Sequence, residues 1–378
     1  MRTKLIALML AMLKLGLTAF GGPVAAIAMM RQEFVLKRHW LSEDEFLDFW
    51  GISTIIPGPN AMEFAIHIGY HYASWPGMIV AGLCYLMPAV IVVLILGRIY
   101  IQFGTIPITE SFLYGVKPVV IAILLSALIG MIRPHLQKKT KMLITIAVFI
   151  AYIFGVDPVI LMVASGLVHL LIKFASNHPQ DFLPVAGFLS GSLSIIRQEI
   201  SSVPFDLGRL FLVFLKAGAF MYGSGYVLLA FIQEDLVNRL SWLTQSELID
   251  AIAVGQVTPG PLSTTATFVG YILDGIPGAM VATFAMFLPG FIFVLFSLPL
   301  LRLLKKSAYG KQFLDGINFA ALGLMMGVIW EISLQALVDP ITILTAVVML
   351  IVLLRFKTPT HWLILAGGVI GLLKILLG

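Results

Sequence analysis

Lysine is costly inside an apolar run, and this sequence places one at the same point twice. Lys14 lies between Leu5 and Met30, and Lys216 between Leu207 and Ile232. Charged groups at membrane depth are functional by default, and two related cations suit one dianion. Each is followed by a Pro-Gly-Pro break, Pro57-Gly58-Pro59 and Pro259-Gly260-Pro261. Proline has no N–H and clashes with the preceding turn, so these triplets must interrupt a helix. The segments that resume at Asn60 and Leu262 turn N-terminal N–H groups toward the break, which favours an anion there. After the first break, Glu63, His67 and His71 share one helix face, an arrangement suited to passing protons or selecting a substrate. The second half offers Ser263, Thr264, Thr265 and Thr267 instead, hydroxyl donors suited to the oxygens of an anion. Of the two histidines, His67 is the candidate, and His71 falls nearer the membrane interface. The acids Glu45, Asp48, Glu247 and Asp250 read as a solvated face.

The elements that carry these residues are duplicated. A shift of 202 superposes Lys14 on Lys216, Trp40-Leu41-Ser42 on Trp242-Leu243-Thr244, Glu45 on Glu247, and Pro57-Gly58-Pro59 on Pro259-Gly260-Pro261. A one-residue slip then carries Gly69-Tyr70 onto Gly270-Tyr271 and Pro88 onto Pro289. The expected organisation is a repeat over 1–176, a polar linker over 177–205, and a second repeat over 206–378. Each repeat is predicted to open with a long apolar helix (Leu5 to Met30; Leu207 to Ile232). Glycines Gly16, Gly21, Gly22, Gly218, Gly223 and Gly225 allow close packing or local unwinding in these helices. Next come two short segments on either side of Pro-Gly-Pro, then further helices split at Asp157-Pro158 and Thr358-Pro359.

The composition fits one environment. The chain is 60% hydrophobic and only 11% charged, with a mean hydropathy of +1.01, where a soluble domain carries about 25% charge. The single cysteine, Cys84, excludes an internal disulfide and a CxxC site, and no phosphate-binding GxxxxGK[ST] loop is present. No cofactor is expected. The basic residues sit in short loops between apolar spans, so the net charge of +5 speaks of membrane topology rather than nucleic acid. Lys14 interrupts the first apolar run, so it reads as a retained helix and not a signal peptide.

Segments of about 14 residues reach about 21 Å, short of a core about 30 Å thick. They either join into one broken span or fold as hairpins that enter and leave on one side. Hairpins put sixteen of the 24 lysines and arginines on the cytoplasmic side and five outside; crossing segments give ten against eleven. The positive-inside rule therefore selects an all-α integral membrane protein of about ten transmembrane helices plus two re-entrant helical hairpins, its second half inverted and both termini external.

Phe20-Gly21-Gly22-Pro23, Trp40-Leu41 with Glu45, and Pro57-Gly58-Pro59-Asn60 are joined in the second half by Gly255-Gln256-Val257-Thr258-Pro259-Gly260-Pro261 and Thr264-Thr265-Ala266-Thr267. Together these resemble the chromate transporter family in its long, two-repeat form, over nearly the whole chain. The resemblance implies a bacterial cytoplasmic-membrane carrier, not an enzyme, that exports chromate and confers chromate resistance, with sulfate as a competing look-alike. Tyr222-Gly223-Ser224-Gly225 is a looser copy of the first glycine motif, which implies different jobs for the two halves. The membrane potential drives such export, and proton coupling is permitted. Expected partners are the oxyanion and the lipid bilayer, with a homodimer as a possible assembly. The alternatives are a carrier for sulfate or molybdate, and a membrane-embedded metalloenzyme using Glu63, His67 and His71, which the second repeat does not copy.

Overall fold

In lipid a backbone must satisfy its own polar groups, and this chain does so with helices. The computed structural model describes residues 2–377 apart from 20–21, 55, 105, 138, 178–203, 223–224, 305–307 and 357, and no strand occurs among the described residues. Most of the 177–205 linker, Gly21 and Gly223 therefore lie outside the described residues.

The first half runs α1 (Arg2–Thr18), α2 (Gly22–Arg31), a π-helical turn (Gln32–Lys37), α3 (Glu43–Ser53), α4 (Asn60–Phe103), α5 (Pro107–Ile132), α6 (Lys139–Ile153) and α7 (Pro158–Asn177). The second runs α8 (Leu207–Phe220), α9 (Val227–Ile232), a π-helical turn (Gln233–Arg239), α10 (Gln245–Val257), a short 3-10 turn (Leu262–Thr264), α11 (Thr265–Leu304), α12 (Ala308–Ala336), α13 (Pro340–Phe356) and α14 (Thr360–Leu377). Four helices, Asn60–Phe103, Pro107–His135, Leu262–Phe296 and Tyr309–Ala336, are long and apolar enough to cross a membrane by length and composition. Ile79, Ile91, Ile95, Phe284 and Leu344 stand exposed on the outside of their helices, as surfaces facing lipid do.

The expected single helices Leu5 to Met30 and Leu207 to Ile232 are each broken in two. The breaks fall at the glycine motifs: α1 ends at Thr18 and α2 begins at Gly22, and α8 ends at Phe220 and α9 begins at Val227. The long helices α4 and α11 break at matching points, Ala73–Ser74 and Asp274–Gly275. Ser74 takes a φ of 53° where its counterpart Gly275 has 56°. Helices α3 and α10 start alike: Ser42 with Glu45, and Thr244 with Glu247, form capping boxes. This gives Glu45 and Glu247 a structural role.

Helix α1 packs on α4, α8 on α11, and α4 on α11 at the centre. Gly16 and Gly218 permit the first two approaches. A methyl on Gly16 would strike the Tyr85 carbonyl, and one on Gly218 the Met286 carbonyl. The remaining helices cross over between the halves: α5 packs against α13 and α14, and α12 against α6 and α7. Asp339, ahead of α13, fastens one such crossing. It accepts from the Tyr114 hydroxyl on α5 and from Lys374 on α14.

Candidate functional site

A helix that stops inside a protein leaves carbonyls without partners. Here each Pro-Gly-Pro tip supplies a donor to the broken first helix of the other half. The Gly58 N–H donates to the Met221 carbonyl at 2.6 Å, at the end of α8. The Gly260 N–H donates to the Ala19 carbonyl at 3.0 Å, just past α1. Positive φ values of 136° at Gly58 and 94° at Gly260 aim these amides, a conformation natural to glycine. The flanking prolines Pro59, Pro259 and Pro261 are buried and Pro57 is half-buried. The tip of the second hairpin rests on α4, where a methyl on Gly260 would lie 3.0 Å from Ala89 Cβ. The first tip lies near the matching point of α11, Gly290.

Glu63 fills the space at the first tip. It is fully buried, and a methyl on Gly58 would collide with its Oε1. From the other half, a methyl on Gly290 would come within 2.7 Å of the same oxygen. Neither carboxyl oxygen has a hydrogen-bond partner among the described residues. Burying a polar group without a partner is costly, so such a group signals a missing ligand, water or proton. Two further groups near the tips share this state. They are the Ser263 hydroxyl, directly after the second tip, and the Tyr85 hydroxyl, one turn before Ala89 on α4.

The other expected residues have varied surroundings. Asn60 opens α4 half-buried. His67 is buried, but its Nδ1 lies 2.8 Å from the backbone carbonyl of Glu63 and 3.5 Å from Ser53 Oγ, so the ring is tied to backbone. His71 is exposed and pairs with Glu45 at 3.5 Å. Thr264 and Thr265 donate to the carbonyls of Pro261 and Leu262, and Thr267 bonds Thr283. Their protons are thus engaged locally, and Ser263 carries the hydroxyl left over. Gly225 touches Leu262 beside the second tip. Gln256 donates to the Tyr226 hydroxyl at 3.4 Å. Gly22 starts α2.

The two lysines, expected as a pair of cations for a dianion, are each held by acids. Lys14 binds Glu33 at 2.9 Å, and Glu33 also takes Arg38 at 2.7 Å. Lys216 binds Asp235 at 2.6 Å and Asp157 at 3.5 Å. Glu33 and Asp235 are themselves repeat equivalents in the two π-helical turns, so the pair is duplicated as a unit. Buried charges are found paired for this reason. Asp250, expected on a solvated face, is instead buried and accepts from Tyr100 at 2.9 Å.

Sequence reasoning missed Tyr85 and Gly290, and it did not single out Ser263 from its neighbours. The registers 58 to 260 and 89 to 290 were the only available hint. Nothing local to Tyr85 marks its hydroxyl as unpartnered.

Comparison with known proteins follows the same outline. The model of the chromate transporter family matches residues 6–170 and again 208–372. The chromate transport protein of Cupriavidus metallidurans is 30% identical over 366 residues, covering 95% of this chain and 90% of that protein. The chromate transport protein of Pseudomonas aeruginosa is 32% identical over 325 residues, covering 83% and 77%. The uncharacterized transporter YwrA of Bacillus subtilis is 28% identical over 190 residues, which is 50% of this chain but 97% of YwrA. No solved structure matches the chain.

Proposed function

This chain belongs to the chromate transporter family, and on that premise we propose that it exports chromate through the space between its two Pro-Gly-Pro tips. One observation carries the reading: at the start of α4, between the tip glycine Gly58 and Gly290 of the other half, Glu63 is buried with both oxygens unpartnered. A protonated Glu63 donates a hydrogen bond to an oxyanion, and the N-terminal amides of α4 add positive potential. Ser263 supplies a further hydroxyl from the second tip.

Chromate takes up a proton near neutral pH and sulfate does not, so a carboxylic acid donor distinguishes two anions of equal charge and shape. Lys14 and Lys216 supply the balancing cations as their acids release them. The arrangement is a ten-span carrier of the bacterial cytoplasmic membrane, with two re-entrant hairpins, an inverted second half and both termini external. Moving one charge across 100 mV is worth about 2.3 kcal/mol, so a dianion leaving a negative interior gains about 4.6 kcal/mol. The potential is therefore sufficient to drive export and, with it, chromate resistance, and it leaves room for proton coupling.

The test is radiolabelled chromate and sulfate flux in proteoliposomes under an imposed potential, with cysteine labelling from each side on a Cys84→Ser background. Chromate should follow the potential and the Lys139 loop should label from the cytoplasmic face. Absence of chromate flux at every potential would overturn the reading.

A further inference from the structure

Around Lys216 gather more ionisable groups than surround its equivalent, Lys14. Asp235, in the π-helical turn, and Asp157, between α6 and α7, both pair with its ammonium. Glu234 accepts from Asn238 at 3.3 Å and bears electrostatically on Asp235. From α12, Glu331 faces Glu234 and Asn238, and its Oε2 is buried without a hydrogen-bond partner. From α6, the ring of Tyr152 lies against Gly327, one turn before Glu331. Its hydroxyl is buried, unpartnered and within electrostatic reach of Glu331, Glu234 and Asp235. Arg239 bears on Asp235 from the end of the same π-helical turn. His135 and His169 sit against Phe319, about three turns away on α12.

Four carboxylates thus share two cations, and two of the polar atoms between α6 and α12, Glu331 Oε2 and the Tyr152 hydroxyl, are buried without a hydrogen-bond partner among the described residues. The duplicated part is the Lys216–Asp235 pair, matched by Lys14 with Glu33, together with Arg239, matched by Lys37. At the positions of Glu234, Glu331, Tyr152 and Asp157 the other repeat has Gln32, Gly130, Leu353 and Thr358. The extra acids therefore serve something that the pair by itself does not. Among the described residues no three His, Cys, Asp or Glu groups converge to hold a metal ion. Asp157 and Lys216 have side chains 29% and 25% exposed, whereas Glu63 is fully buried.

We propose that this group is a proton-exchange site, centred on Glu331 and Glu234, that couples proton movement to the oxyanion. The inference rests on the transport reading above. The step is simple: a proton from water forms an O–H bond on a Glu331 oxygen and later returns to water, with no other bond changing. Each proton taken up withdraws a negative charge from the set that holds Lys216. The ammonium is then held less firmly by Asp235 and Asp157, and α8 less firmly by the π-helical turn. Lys216 lies five residues before Met221, whose carbonyl holds the Gly58 tip. The proton site and the oxyanion site are thus joined through one short stretch of α8.

The experiment uses the purified full chain in proteoliposomes at a clamped potential, with chromate as the transported probe. Imposing about one pH unit should shift the steady-state chromate ratio by up to about tenfold per coupled proton. The sign of the shift separates symport from antiport. Glu331→Gln, nearly isosteric, should keep potential-driven chromate flux and lose the pH-gradient response. An unchanged response in Glu331→Gln, a wild type indifferent to the pH gradient, or a response to a sodium gradient in its place would each overturn the proposal. If no chromate moves under any gradient, the transport reading fails on its own. Infrared pH-difference spectra in detergent then still decide the proton site: wild type must show a titrating carboxyl band that Glu331→Gln lacks, and its absence overturns the assignment.

Discussion

Replacing Gly58 with alanine puts the geometry of the first tip to a quantitative test. Two costs arise. The residue has φ of 136°, where a β-carbon is strained by about 1–3 kcal/mol. The new methyl also collides with Glu63 Oε1 and comes within 2.7 Å of its Cδ. Such overpacking adds about 1–3 kcal/mol in a site that cannot yield. Gly260→Ala shares the first cost but only a mild version of the second, since its methyl meets Ala89 Cβ at 3.0 Å. The expected order is therefore Gly58→Ala worse than Gly260→Ala. The decisive measurement is a double-mutant cycle with Glu63→Ala, read by equilibrium unfolding in mixed micelles. Removing the carboxyl should relieve the collision, so the two changes should couple by about 1–3 kcal/mol. A coupling below about 0.5 kcal/mol, the usual scatter for independent sites, would refute the placement of Glu63 against the tip. The readout is stability, so it holds whatever the transported ion.

Other expectations concern chemistry. Glu63→Gln should weaken chromate-over-sulfate preference and flatten the pH dependence of binding between pH 6 and 8; unchanged selectivity and profile would reduce Glu63 to a structural residue. Lys216→Met leaves Asp235 buried without its main cation, at a cost of about 3–5 kcal/mol. Adding Asp235→Asn should restore folding but not transport, and full transport in that double variant would make the lysine purely structural. Asp339 is held below the usual carboxylate range, first by the Tyr114 hydroxyl and then by the Thr342 N–H. Its contribution to stability is complete above the ordinary carboxylate pKa and lost as pH falls through the depressed one. Asp339→Asn should therefore lower thermal stability at neutral pH and narrow the difference between neutral and acid, with an unchanged acid branch counting against the role.

The elements were legible where the sequence holds residues with few conformational options. Pro57, Pro59, Pro259 and Pro261 fix the tips. Hydropathy located the long helices. The glycine motifs near Gly22 and Gly225 were ambiguous because small residues serve close packing and unwinding alike. The partners of Lys14 and Lys216 were hidden for another reason. Glu33 and Asp235 stand nineteen residues on, beyond any helical spacing rule, and only their equivalence in the repeat links them. The crossing of α5 to α13 and α14 leaves no trace in local pattern, because any apolar face can cover any other.

The duplication separates scaffold from chemistry. What both halves keep is geometric: the two tips, the carbonyls of Ala19 and Met221 that receive them, the two capping boxes, and the two lysine–acid pairs. A gene copy preserves such features because each half supplies the partner for the other, so losing one tip leaves the opposite helix end unsatisfied. What the halves do not share is ionisable. Glu63 faces a threonine register in the second half, and Glu234, Glu331 and Asp157 face Gln32, Gly130 and Thr358 in the first. A symmetric scaffold with a single copy of each acid fits the proposed selective contact at the first tip and the proposed proton-exchanging group behind α8. A symmetric carrier with two equivalent sites would need neither difference, and its two lysine–acid pairs would tolerate the same substitutions equally. Comparing Lys14→Met with Lys216→Met is therefore the direct measure of that asymmetry. The Lys14 side chain is 53% exposed against 25% for Lys216, so the loss should fall more heavily on the second half.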